Sequence, residues 1–351
     1  MNKEFLIKYL STDSPSTFEK EAQLCWVNEL KEFADNVFTD NYGNVALLIK
    51  GTSSDYKVVI DAHCDEIGWV VKRISDEGFI YVQKNGGVDN DFAPGTQIKI
   101  ITKNGKVKGF FGNLPIHLKK DNTDKPTDSN VYIEVGAETI DDVEQLGIEI
   151  GDFIVVDRTP EFIKDKFIVG KALDDKIGGF IHSEVIKKLK ENKIKLPYDL
   201  YIVNSVQEEI GLRGARMITE TIKPNVAICF DVTFDTNTPL IDRNVHGNFK
   251  MGDGLVFRQG GDVHNGLLTL MKKTAKELDM KYKIQVGGAG GTNTFSYHIS
   301  NGGVVSSTLS TPLRYMHTQN EMVMLSDIET TINFYVEFLQ KIENKHNFKY
   351  L

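Results

Sequence analysis

At 351 residues the chain is too long for one minimal core and suits one large domain plus an insert. With 40% hydrophobic and 26% charged residues it has the balance of a soluble globular enzyme, and a formal charge of -8 argues against a nucleic-acid partner, which needs a basic face. Three scattered cysteines (Cys25, Cys64, Cys229), no signal-like leader and no long apolar run point to the cytoplasm and away from membranes.

The opening reads as helices over 5–10 and 16–33, the second started by a capping box in Ser16-Thr17-Phe18-Glu19. Short strands follow over 37–40 and 45–49, and 58–60 reads as a buried strand running into Asp61-Ala62-His63-Cys64-Asp65. From about 70 to 166 the texture changes to short alternating runs. Turn signals separate them: Asp76-Glu77-Gly78, Asn85-Gly86-Gly87, and Asn104-Gly105 between 97–102 and 106–111. Only 140–146 looks helical there, so this stretch predicts a small inserted β-barrel or sandwich. The basic runs over 119–125 and 187–195 read as solvated surface. Beyond the insert come a helix over 174–190, a strand over 199–206, a helix over 211–221 and a strand over 226–230. A helix over 264–278, a strand over 302–309 and a helix over 328–342 follow, the last opened by a second capping box, Ser326-Asp327-Ile328-Glu329. Helices alternating with buried strands predict a three-layer α/β/α domain interrupted once, with 1–69 and 167–351 as its two parts and 70–166 as the insert.

Polar residues gather where strands end. His63 and Asp65 follow one buried run, Glu208 and Glu209 a second, and Asp231 a third. Ligands of open α/β sheets bind outside the carboxyl ends of the strands, so these residues describe one acidic crevice. Asp174-Asp175 at a helix start and His317 late in the chain join the same set. Singly, His63 and His317 read as structural histidines, Asp174 as a helix cap and Glu208-Glu209 as an acidic turn. Asp231 resists that reading because it ends a strongly apolar run. Jointly, so many carboxylates repel unless cations neutralise them, and two divalent ions would do so while activating a water for hydrolysis. Two imidazoles with carboxylates suit zinc, cobalt or manganese.

Five blocks carry a resemblance. They are Ala62-His63-Cys64-Asp65-Glu66-Ile67-Gly68, Gly170-Lys171-Ala172-Leu173-Asp174-Asp175-Lys176-Ile177-Gly178, Gln207-Glu208-Glu209-Ile210-Gly211-Leu212-Arg213-Gly214-Ala215, Ile228-Cys229-Phe230-Asp231-Val232-Thr233 and Pro312-Leu313-Arg314-Tyr315-Met316-His317-Thr318. In this order they resemble the tetrahedral-aminopeptidase family, the glutamyl and deblocking aminopeptidases once labelled cellulase M, across nearly the whole chain. The resemblance implies a metallopeptidase that removes N-terminal residues from short peptides. It implies one metal held by His63 and Glu209, another by Asp231 and His317, and Asp174 bridging them. It makes Glu208 the general base acting on a bridging water, and Asp65 a catalytic residue that orients His63. It further implies a cis peptide at Asp174-Asp175, and homo-oligomers built from dimers up to a hollow dodecamer, with the insert as assembly and access domain. No nucleic-acid or membrane partner is implied.

The chain departs from the family pattern at Lys176, where Arg is usual, and at Asn293, where Gly-Gly-Thr-Asp is usual; Asn293 is expected to cap a helix. Cys64 is expected to be a small buried hydrophobe. Three other readings remain open at this stage. A deacylase or deblocking hydrolase would accept substrates without a free amine. A metal-independent glycoside hydrolase would use two carboxylates and no histidine. A catalytically silent assembly protein would lack a ligand candidate.

Overall fold

In a computed structural model the described residues are 1–119, 125–287, 290–344 and 348–349, so most of the predicted basic run at 119–125 lies outside them. The central element is an eight-stranded sheet in the order Asn36–Thr39, Val45–Ile49, Asp199–Ser205, Lys57–His63, Val226–Phe230, Val305–Ser310, Leu255–Gln259, Tyr282–Val286. Its middle strands are parallel: Lys57–His63 pairs with Asp199–Ser205 on one side and Val226–Phe230 on the other. Parallel neighbours put their carboxyl ends on one edge, which brings His63, Ser205 and Phe230 side by side.

Both faces of the sheet are covered, which explains why these strands read as continuous apolar runs rather than alternating ones. Val58, Ile60 and Ala62 pack into the larger core with the helices Leu173–Glu191, Asn265–Glu277 and Leu325–Leu339. Val59, Val203, Ala227 and Cys229 face the other way, against Arg213–Ile222 and Asn293–Ile299. Gly178 makes the first packing possible. A Cβ there would come within 2.5 Å of the Phe230 ring and 2.7 Å of the Ala62 Cβ.

The predicted insert is a closed six-stranded barrel of Gly68–Ile74, Ile80–Asn85, Tyr132–Glu134, Gly105–Phe111, Gln97–Thr102 and Phe153–Val156. Along Gln97–Thr102, Ile98, Ile100 and Thr102 point inward while Gln97 is exposed, the two-residue period of a strand with one wet face. Trp69 fills the interior with its ring 4.7 Å from Phe111. The Asn104-Gly105 signal marks the hairpin it promised, with Thr102 opposite Gly105.

Both expected capping boxes fail. The second helix begins at Lys20, not Ser16, with no side-chain cap, because the Ser16 hydroxyl is committed to the Asp65 carboxylate at 2.6 Å. The last helix begins at Leu325 from Met324, and Asp327 instead accepts the Gly252 N–H at 2.7 Å. The described capping box is elsewhere, between Thr139 and Asp142 on Ile140–Gln145. A five-stranded sheet was not foreseen: Glu161–Ile163, Phe167–Gly170, Glu321–Met324, Pro312–Arg314, Thr233–Phe234.

Candidate metal centre

The seven residues singled out in the sequence meet at the carboxyl edge of the central sheet. One ligand atom each from His63, Asp174 and Asp231 lie within 4.8 Å of one another, and so do atoms of Asp174, Glu209 and His317. Asp174 belongs to both sets. Its Oδ1 is 3.3 Å from His63 Nε2 and its Oδ2 is 3.3 Å from His317 Nε2, which in turn is 3.4 Å from Glu209 Oε1. Glu208 stands over the same space with its carboxylate 3.9 Å from His63 Nε2. The resemblance pairs His63 with Glu209 and Asp231 with His317. Asp231 groups with His63, Glu209 groups both with His317 and, in a third set, with His63 and Glu208, and no such set among the described residues unites Asp231 with His317.

Local structure aims each group. Both imidazoles are oriented through Nδ1, which frees Nε2 for the centre. His63 Nδ1 donates to the Asp65 carbonyl at 3.2 Å and lies 3.4 Å from its carboxylate. His317 Nδ1 donates to the Gly87 carbonyl at 3.0 Å. Gly87 belongs to the Asn85-Gly86-Gly87 turn of the barrel, and a Cβ there would lie 3.0 Å from the His317 ring. The barrel therefore supplies part of the site, which a reading of that turn as a simple hairpin signal missed. His317 rides on the loop between Pro312–Arg314 and Glu321–Met324, antiparallel strands of the unforeseen sheet. The Asp174-Asp175 peptide is cis, as the resemblance implied.

Asp65 is the organiser of the adjacent glutamates. One oxygen accepts the Glu208 N–H at 2.9 Å and the other the Glu209 N–H at 3.1 Å, while Ser16 donates its hydroxyl to it. Asp65 thus fixes the imidazole on one side and the Glu208-Glu209 turn on the other. Glu321 plays the matching part opposite, and sequence reasoning overlooked it. Its carboxylate accepts the N–H of Asp174 at 3.0 Å and of His317 at 2.7 Å. No spacing signal marks it, because it acts on backbone groups across a hairpin. Ala172, Gln207, Leu212, Tyr315 and His317 all hold left-handed backbone with φ of 53–61°, so strain that non-glycine residues rarely carry is concentrated beside the ligand candidates.

The charge balance tests whether cations fit. Burial, then neighbouring acids, pushes Glu208 and Asp231 well above the ordinary carboxylate range, with Asp231 and Glu209 acting on Glu208 and Asp174 acting on Asp231. Glu209 is raised by burial and by Asp174. Burial alone would lower the histidines, but the carboxylates around them win: Glu208, Asp174 and Asp65 raise His63, and Asp174 and Glu209 carry His317 up to about 12. Burial would raise Asp174 and Asp65, but the imidazoles hold both low, so the shifts together describe a cluster whose only cations are its two histidines and whose remaining acids are short of positive charge. Oxygen and imidazole donors in two sets sharing one aspartate fit two divalent ions.

A cavity of about 510 Å³ opens over Asp174, Glu208, Glu209, Asp231 and His317. Cys64 is buried and lies in none of the ligand sets. Lys176 is fully buried, donating to the Thr12 carbonyl at 2.8 Å and to Glu66 at 3.1 Å. Asn293 does not cap its helix; Thr292 stands at the cap, and the Asn293 amide donates to the Ser205 hydroxyl at 2.8 Å.

The sequence profile of the M42 glutamyl aminopeptidase family matches residues 43–334. The lysyl aminopeptidase of Pyrococcus furiosus is 32% identical over 325 residues, covering 90% of each chain. The solved TET aminopeptidase from the marine sediment archaeon Thaumarchaeota archaeon SCGC AB-539-E09 superposes with a TM-score of 0.93 at 26% identity, over 97% of this chain and 96% of that one. The TET1 peptidase of Pyrococcus horikoshii, which can assemble into a tetrahedron or a large octahedral shell, gives 0.86 at 26% identity, over 97% and 99%.

Proposed function

The chain belongs to the M42 glutamyl aminopeptidase family, and on that premise we propose that it is a two-metal aminopeptidase acting on short peptides. The observation that carries the proposal is Asp174, shared by two ligand sets, with the Glu208 carboxylate close to His63 and Glu209 at their side and an open cavity above. His63, Asp174 and Asp231 would hold one cation, and Asp174, Glu209 and His317 the other. When bound, the cations would polarise the scissile carbonyl and ease deprotonation of the attacking water.

The protein groups do the rest. Asp65 grips the backbone N–H of Glu208, while no hydrogen bond among the described residues engages the Glu208 carboxylate, so its oxygens are free to handle a proton. As general base Glu208 takes the proton of the attacking water and then delivers it to the departing amine. The acidic lining attracts the free ammonium of a peptide N-terminus.

A strong chelator is expected to remove activity towards aminoacyl chromogenic substrates, and cobalt, zinc or manganese to restore it, with elemental analysis finding up to two equivalents per chain. Full turnover by metal-free protein would refute the proposal. N-acetylated versions of the same substrates should stay intact; their cleavage would favour the deblocking reading.

Assembly is the second expectation. The barrel insert carries exposed Phe110, Leu114 and Ile116, and the TET1 relative can assemble into a tetrahedron or a large octahedral shell. We expect homo-oligomers that admit short peptides to an enclosed space. Light scattering at micromolar concentration should report a mass several times that of one chain, and a monomer alone would count against this.

A further inference from the structure

We propose that the segment 14–19 braces the Glu208-Glu209 turn from behind, with Ser16 and Glu19 as positioning residues. They act through Asp65 and Gln207 and touch neither substrate nor cation. These roles rest on the aminopeptidase reading above, and none of residues 14–19 lines its cavity.

Three successive N–H groups hold the turn. Those of Glu208 and Glu209 go to Asp65, and that of Gln207 goes to Glu19 Oε1 at 3.3 Å. Gln207 has left-handed backbone with φ of 55°, and successive N–H groups in such a turn form a concavity that suits anionic oxygens. Two buried carboxylates fill it here. Removing either leaves donors unpaired in the segment that aims Glu208 and Glu209.

The brace is anchored to the strand end it serves. The Ser14 N–H donates to the Glu66 carboxylate at 2.8 Å and its hydroxyl to the Cys64 carbonyl at 2.7 Å, while the Glu66 N–H returns to the Ser14 carbonyl at 2.9 Å. Thr17 then turns the chain with φ of 80°, a conformation rare for a β-branched residue, and its N–H is taken by Glu19 Oε1 at 2.6 Å. One oxygen thus closes the turn of the brace and supports the turn beyond it.

Ser16 links the two imidazoles. Its hydroxyl donates to Asp65 Oδ2 at 2.6 Å, and Asp65 orients His63. Its carbonyl accepts the Asn85 amide at 2.9 Å, two residues before the Gly87 carbonyl that orients His317. One buried serine therefore ties the barrel turn to the sheet edge.

The test compares Ser16→Ala, Glu19→Met and Glu19→Gln in metal-loaded protein, on the aminoacyl p-nitroanilide that the wild type cleaves fastest. Ser16→Ala and Glu19→Met should lower kcat at least about tenfold with KM within about twofold, as misplaced reacting groups do. Glu19→Gln should recover most of that loss, because both bonds go to one oxygen that an amide also offers. Burial and the Asp65 charge push Glu19 up to about 8, so a neutral acceptor matches its state at neutral pH. Ser16→Ala should add little to Asp65→Asn, since it acts through Asp65. In metal-free protein, hydrogen exchange of the amides of 207–209 should quicken at least about tenfold in Glu19→Met and stay slow in Glu19→Gln.

Unchanged kcat in Ser16→Ala and Glu19→Met, a rise in KM in place of the fall in kcat, or a full Ser16→Ala loss on top of Asp65→Asn overturns the brace. So does Glu19→Gln as impaired as Glu19→Met, or exchange in Glu19→Met as slow as in the wild type. A metal-loaded wild type that cleaves no anilide removes the aminopeptidase reading instead, and exchange then decides by itself whether the segment holds the turn.

Discussion

Glu208→Gln is expected to lower kcat by at least about 10²–10⁴, the usual worth of a positioned general base, with metal content near wild type. Gln keeps the shape of the side chain and its hydrogen-bonding reach but cannot accept the proton. The backbone would not notice, since Asp65 holds the Glu208 N–H at 2.9 Å whatever the side chain is. Glu209→Gln should behave differently although it is the next residue. Glu209 shares a ligand set with Asp174 and His317, so the variant should lose metal along with turnover. An acidic turn with no catalytic part predicts near-normal turnover for both. Metal analysis beside single-turnover kinetics separates the cases. If Glu208→Gln loses its metals, or Glu209→Gln keeps them while only turnover falls, the two roles are assigned the wrong way round.

The carboxylates at strand ends were legible because a buried parallel strand is a long apolar run, and a charge that stops such a run can only be at its tip. His63, Glu208, Glu209 and Asp231 all announce themselves this way, and the register brings the strands that end at His63, Ser205 and Phe230 together. The grouping of His317 with Asp174 and Glu209 was not legible. It depends on where the hairpin carrying His317 lands, and that is set by the five-stranded sheet, whose strands are too short to give a pattern. The false capping box at Ser16 has the same lesson in miniature. Ser-x-x-Glu has the right spacing for a local cap, yet Ser16 is buried and bonded to Asp65, 49 residues away, while Glu19 accepts the N–H of Thr17 and of Gln207. Local spacing proposes and tertiary contact decides. Glu321 and Gly87 escaped because both act through backbone groups that any sequence could supply.

Glu66→Gln is expected to destabilise the protein by about 3–5 kcal/mol, the cost of stranding a buried charge by removing its partner. Glu66 is buried and sits next to Asp65. Its carboxylate takes the Lys171 ammonium at 2.8 Å, the Lys176 ammonium at 3.1 Å and the Ser14 N–H at 2.8 Å. Lys171 has a second carboxylate in Asp13 at 2.6 Å, but Lys176 is left with the Thr12 carbonyl alone. Burial already lowers the Lys176 ammonium, against the pull of Glu66 and Asp13, so the variant leaves that cation with only the Thr12 carbonyl and the Asp13 charge to offset its desolvation. The cluster also ties the barrel to the sheet, because Lys99 and Lys106 reach Asp13 from barrel strands.

The pH dependence follows with a definite sign. Burial would raise Glu66 and Asp13, but Lys171 and Lys176 hold Glu66 down, and Lys171 and Lys106 hold Asp13 down. A carboxyl depressed in the folded state contributes stability that is fully present above its unfolded value, about pH 4–5, and is lost as pH falls through the folded value. Urea midpoints of the wild type should therefore drop on acidification below about pH 4, and the Glu66→Gln midpoint should start lower and fall less steeply. Lys273→Met, at an exposed pair 3.8 Å from Glu277, is the control and should shift stability by no more than about 0.5 kcal/mol. A Glu66→Gln loss as small as the control's would mean that water reaches the buried lysines and that the latch beneath Asp65 carries no weight.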